Sequence, residues 1–150
     1  MKALRAESFI RGIVHKIRNV GDDILDIMEG AGGHTLERHV GRTHNDLLLR
    51  SMRDEAGAIT TFTNKRTAIN AVKENLRNNA KEIAEWLKSN PGLDKKKSFE
   101  YLHSHDIGKG IIKGKKNSLC NLVTSKIVLI PSQADELGFK ILTAFPIPKA

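Results

Sequence analysis

Two histidines stand close together in Gly32-Gly33-His34-Thr35-Leu36-Glu37-Arg38-His39-Val40-Gly41. Histidine can take and give a proton near neutral pH. Three arginines accompany the pair: Arg38, Arg42 and Arg50. Arginine keeps its proton and grips phosphate oxygens with a planar fork of donors. The set suits cleavage of a phosphodiester in RNA, which carries its own nucleophile, the 2′-hydroxyl. Such a reaction needs a base, an acid for the leaving 5′-oxygen, and a cation or donors for the charge developing at phosphorus. His34 and His39 can fill the first two roles in either order, and Arg50, Arg38 or Arg42 the third. Thr143, far along the chain, can add a hydrogen bond if the fold brings both ends to one groove. The plainer reading makes the histidines a solvated turn and a helix end, and the arginines surface charges.

Other histidines and glycines carry less. His103-Ser104-His105 has the look of a metal pair on a strand, but no cysteine partner or acidic cluster accompanies it, so no metal is expected. Asp106 to Gly114 contains a Gly-x-Gly outside any strand–GxGxxG–helix setting, so no dinucleotide or other cofactor is expected.

The elements that must position these groups can be read from periodicity. Residues 4 to 28 repeat apolar positions at helical spacing, with a break at Gly21 and a stop at Gly30. Gly32-Gly33 frees the backbone before His34, and residues 35 to 40 form a short helix closed by Gly41. Thr43 is the N-cap of a helix from His44 to about Ala56, with Asp46 completing a capping box. Ile59 to Thr63 alternates as a strand. Thr67 to Lys88 reads as one long amphipathic helix with Trp86 packed near its end, stopped by Asn90-Pro91-Gly92. A solvated loop and a hairpin follow, with a bent strand about Gly108 and Gly110. Leu119 to Thr124, Lys126 to Ile130 and Phe139 to Phe145 are strands. Helices first and strands later imply an α+β fold: N-terminal helices followed by a mostly antiparallel sheet.

Composition sets the outer bounds. The 150 residues suit one domain with a core of its own, and 39% hydrophobic with 28% charged residues is ordinary for a soluble globule. No apolar run is long enough to span a membrane, and stable membrane insertion is not expected. A single cysteine, Cys120, excludes an internal disulfide; a buried structural role is expected for it. The formal charge is +8. Residues 1 to 30 balance five bases against five acids, so the whole excess lies in residues 31 to 150. Between Lys88 and Lys116 eight lysines face three acids, and Lys109 and Lys113 are candidates for contacting phosphates. A basic body points to a polyanionic partner, RNA before others, and its field would also attract an acidic protein.

The string GGHTLERHVG followed by LLLR resembles the opening motif of the bacterial RNase A-like toxin domains that end contact-dependent growth inhibition effectors and related polymorphic toxins. Ile59-Thr60-Thr61-Phe62-Thr63 and Ile141-Leu142-Thr143-Ala144-Phe145-Pro146 fit the same pattern, so the resemblance covers about residues 31 to 148. It implies an RNase A-like fold without disulfides over 31–150, with 1–30 as a helical arm left from a linker or preceding domain. The family motif carries an active-site histidine in the opening segment and an arginine on the next helix. Its last strand carries a threonine and, two residues on, an aromatic that is usually tyrosine. On this chain these fall on His39 or His34, Arg50, Thr143 and Phe145. Distance to Arg50 favours His39 as the base. Phe145 can neither donate nor titrate, so an acid role there passes to a histidine, Thr143 or water, and the ring can instead stack on a base.

The resemblance thus implies a metal-independent endoribonuclease toxin, carried by a secreted or cell-surface effector. It would act on RNA, tRNA included, in the cytoplasm of a target bacterium, and a cognate, acidic immunity protein would restrain it. Arg38, Arg42, Phe145, Lys109 and Lys113 would touch substrate. Other readings fit the same residues: a noncatalytic basic nucleic-acid-binding module, a small structural or interaction domain whose basic face meets an acidic partner, and a toxin nuclease of another fold.

Overall fold

Among the described residues, two three-stranded antiparallel sheets and the helices share one core. The computed structural model describes residues 2–30, 32–43, 46–47, 49–50, 58–112, 118–133 and 135–148. Helices α1 (Lys2–Arg18), α2 (Ile24–Gly30) and α3 (Thr35–His39) come first. After β1 (Ala58–Phe62) come α4 (Lys65–Asn78) and α5 (Ala80–Lys88). The remaining strands are β2 (Lys97–Leu102), β3 (Gly108–Ile112), β4 (Ser118–Leu122), β5 (Thr124–Pro131) and β6 (Phe139–Ile147). Their orders are β1-β3-β4 and β2-β5-β6. The architecture is α+β, as the order of periodicities implies.

One core joins helices and sheets. Ile13, Ile17, Ile24, Leu25 and Met28 of residues 1–30 are buried in the same cluster as Phe62, Val72, Leu76, Ile83, Ile127, Phe139 and Ile141. A smaller cluster of Leu47, Ile59 and Ile111 lies apart from it. Thr43 and Asp46 form the expected capping box: the Thr43 amide donates to Asp46 Oδ2 and the Asp46 amide to Thr43 Oγ1, both at 3.1 Å. Asp46, Leu47, Leu49 and Arg50 are helical, while most of the rest of that expected helix lies outside the described residues.

Three expectations need correction. The long helix is two, broken at Asn79, whose side-chain amide donates to Asn75 Oδ1 (2.8 Å) and to the Glu100 carbonyl (3.1 Å). A side chain that bonds backbone outside the helix competes with helix continuation. Part of the expected lysine-rich loop is strand β2, which pairs with β5 from Lys97↔Leu129 to Leu102↔Thr124. Cys120 is exposed rather than buried. The pairing shifts between Gly108↔Leu122 and Gly110↔Leu119, so Cys120 and Asn121 together oppose one residue of β3, and Asn121 takes φ 58°. Such a bulge lifts its extra residue out of the ladder.

Candidate active site

Helix α3 and the segment after it lie along the free edge of β1. Val40 bridges Phe62 in parallel, the Gly41 amide donates to the Phe62 carbonyl at 3.0 Å, and the Arg42 amide donates to Thr61 Oγ1 at 3.1 Å. Gly41 takes φ 63°, a turn that favours glycine. Covering the edge in this way satisfies backbone groups of β1 and fixes His39 beside it. His39 Nδ1 sits 3.4 Å from the Thr60 carbonyl oxygen. A carbonyl only accepts, so in the neutral ring the proton lies on Nδ1 and Nε2 keeps a lone pair.

Strand β6 closes the other side. The Phe145 ring lies 5.1 Å from the His39 ring, tilted by 42°. The His34 amide donates to the Leu142 carbonyl at 2.8 Å, so both histidines are tied to the two strands. A bulge makes this possible. Val128 pairs with Thr143 and Leu129 with Ile141, leaving Leu142 as the extra residue. Burial along β6 changes phase there, from Phe139 and Ile141 before it to Ala144 and Pro146 after it. Thr143 and Phe145 are thereby turned away from the helix-covered core. Among the described residues, Thr143 Oγ1 is buried without a hydrogen-bond partner, as is Arg42 Nε.

Gly33 sets the spacing between α3 and β6. A Cβ on Gly33 would lie 2.6 Å from the Ile141 carbonyl oxygen and 3.0 Å from that of Met28. Only glycine allows so close an approach of backbone to backbone.

Electrostatics follow from this crowding. Burial pushes the His39 imidazole down from the usual 6.5 to about 4. The Thr60 carbonyl opposes that shift, and the charges of Arg50, Arg38 and His34 add to it. Arg50 Nη1 donates to the Arg38 carbonyl at 2.7 Å, which fixes its guanidinium against α3. His39 is therefore a neutral imidazole at neutral pH, able to accept a proton, with cations beside it.

His39, His34, Arg38, Arg50 and Phe145 are thus brought together, and Thr143 stands beside the Leu142 carbonyl that holds His34. Arg42 is partly buried and engages Thr61 through its backbone. Lys109 is exposed on β3, paired with Thr61. Lys113 lies outside the described residues. Lys126, which no motif marked, stands opposite Phe145 on the neighbouring strand and so on the same face of the sheet. The structural roles of Thr60 and Leu142 escaped the sequence because they act through carbonyls, which every residue has.

His103 belongs to a different network. Its Nδ1 lies 3.0 Å from Glu74 Oε1 and its Nε2 2.7 Å from Ser125 Oγ, which also accepts from Asn75 Nδ2 at 2.9 Å. Both ring nitrogens are engaged, and among the described residues no group of three His, Cys, Asp or Glu side chains could hold a metal ion. This network ties α4 to β2 and β5.

A family model, the bacterial CdiA-CT RNase A domain, matches residues 33–146. The chain belongs to that family. Its structure is similar to a CdiA-CT solved in the crystal structure of a CdiA-CT/CdiI complex from Y. kristensenii 33638, with a TM-score of 0.70 and 25% identity, over 77% of this chain and 100% of that one. No curated protein matches. Domains of this family are C-terminal toxins of secreted contact-dependent growth inhibition effectors, and this one is a toxin nuclease domain. Among the described residues no helix is long and apolar enough to cross a membrane.

Proposed function

We propose that this CdiA-CT domain is a metal-independent endoribonuclease. His39 Nε2 takes the proton of a 2′-hydroxyl, and the oxygen attacks the adjacent phosphorus. The P–O5′ bond breaks, and a protonated His34 gives its proton to the leaving 5′-oxygen. The products are a 2′,3′-cyclic phosphate and a 5′-hydroxyl. Arg50 and Arg38 offset the charge developing on the phosphoryl oxygens, and Thr143 donates a hydrogen bond to one of them. Phe145 shields His39, and Lys126, Arg42, Lys109 and Lys113 contact the RNA.

The observation that carries this reading is the state of His39. Its proton is held on the Thr60 side, its other nitrogen is an acceptor, and Arg50 and Arg38 are close enough to depress its basicity. A purely structural histidine gains nothing from neighbouring cations. A base acting on a polyanion needs them.

The domain acts in the cytoplasm of a target bacterium, with tRNA among its substrates. A cognate immunity protein neutralises it, as the CdiA-CT/CdiI complex of the relative supports, and acidic side chains on that partner match the net charge of +8. The test is cleavage of RNA beside the same RNA carrying a 2′-O-methyl group at each mapped cut site. The methylated strand should bind and resist cleavage. Cutting at the methylated position would rule out the 2′-oxygen as nucleophile.

A further inference from the structure

We infer that Glu29, at the end of α2, is a positioning residue for the helix that carries the two histidines, an inference that rests on the ribonuclease reading of His34 and His39. The first turn of any helix leaves amide groups without partners. The residue at the N-cap usually supplies an acceptor from its own side chain. In α3 that residue is His34, with φ −129° and ψ 13°, and its side chain makes no capping bond. Glu29 does so instead: its Oε1 accepts from the Leu36 amide at 2.8 Å. A carboxylate makes a stronger, charge-assisted bond to that amide than a neutral cap, and it suits the positive end of a helix. A neutral imidazole folded back over α3 could accept the same amide, but its nitrogen would then be lost to the substrate. With Glu29 in place the His34 ring stays exposed.

The rest of α2 makes Glu29 a fixed point. Ile24, Leu25 and Met28 are buried in the main core. The Met28 carbonyl accepts from the Gly33 amide at 2.8 Å. Lys65 pairs with Asp26 at 2.9 Å and Arg66 with Asp22 at 3.0 Å, which ties the α2 region to the start of α4. Helix α4 follows closely on β1, whose Thr60 carbonyl meets His39. Helix α3 is therefore held at both ends, by Glu29 at its first turn and by Thr60 at its last residue. Glu29 lies ahead of the span 33–146 that the family model matches, so residues 1–30 do more than lead into the toxin.

The experiment compares the full chain as wild type, Glu29→Ala and Glu29→Gln, with kcat and KM for RNA cleavage and amide exchange at Leu36. Loss of the cap should lower kcat of Glu29→Ala about five- to tenfold with KM nearly unchanged. Glu29→Gln, whose amide oxygen can accept the same bond, should recover most of kcat. Leu36 exchange should quicken in Glu29→Ala and stay slow in Glu29→Gln. If Glu29→Ala does not fold, Glu29→Asp, too short to reach Leu36, takes its place with the same expected losses. Wild-type kcat in the alanine variant, or a glutamine variant as slow as alanine, overturns the inference. Should the wild type cut no RNA, the ribonuclease reading falls separately, and Leu36 exchange alone decides the cap: quickened in alanine and not in glutamine upholds it, and equal in all three overturns it.

Discussion

His39 meets the carbonyl of Thr60 with Nδ1 3.4 Å from the oxygen. At that length the contact orients the ring more than it stabilises it. Its consequence is that the two nitrogens differ, one held against β1 and the other left to accept a proton.

The pH profile should report this arrangement. With His39 as base and its pKa near 4, kcat/KM should rise with pH through an acidic limb centred near 4. The usual 6.5 would apply to an exposed histidine. Bound phosphate brings negative charge next to His39 and favours its protonated form, so the limb in kcat should lie higher than that in kcat/KM. Steady-state kinetics across the acid range checks both, and an ascending, acidic limb of kcat/KM centred near 6.5 instead of near 4 contradicts the assignment of His39 as base.

Phe145 contributes to the burial that depresses His39. Phe145→Ala should admit water and move the His39 titration upward, with the acidic limb following it. Phe145→Tyr keeps the ring and should leave the titration nearly in place. Imidazole titration by NMR reads this directly. An unmoved pKa in the alanine variant would show that the ring does not shield His39.

Gly33→Ala sets a Cβ against two backbone carbonyls, at 2.6 Å from that of Ile141. Neither oxygen can swing aside as a side chain does. Overpacking of this kind costs about 1–3 kcal/mol. Urea unfolding should show that loss, and kcat should fall further because α3 moves off β6. A variant with wild-type stability and activity would mean that α3 has freedom to shift.

The network of His103, Ser125, Asn75 and Glu74 should govern stability and leave catalysis alone. Asn75→Ala leaves buried groups unpaired and should destabilise by about 1–3 kcal/mol, with unchanged kcat in the folded fraction. Burial lowers the pKa of His103, although the Glu74 carboxylate opposes the shift, and burial likewise lowers that of His39. Histidines held neutral in the fold contribute stability above the ordinary histidine pKa of 6.5, and lose it as pH falls. For His39 the loss accrues down to about pH 4. Unfolding free energy measured across that interval should fall with pH, and His39→Ala should flatten part of the slope.

Much of the candidate site was legible because it is built from side chains with local signatures. Thr43 and Asp46 announced a capping box, and the structure forms it. Glycines at 32, 33 and 41 announced turns about α3. Strand β2 was hidden because Lys95, Lys96 and Lys97 look like a solvated loop, while the pairing of Lys97 to Leu102 with β5 is set by tertiary contact. The bulge at Leu142 leaves no mark, since any residue can occupy it, yet it aims Thr143 and Phe145. Glu29 read as one acid among five in a balanced segment. Only the fold brings its carboxylate to Leu36.

Metal-independent cleavage through His39 is read from the chemistry of the RNA ends left by wild type and by folded His39→Ala in excess EDTA. Wild type should leave 2′,3′-cyclic phosphates, and the variant should cut at least about 10²-fold more slowly. Absence of cleavage by wild type in EDTA, or ends with a 3′-hydroxyl, would contradict that mechanism.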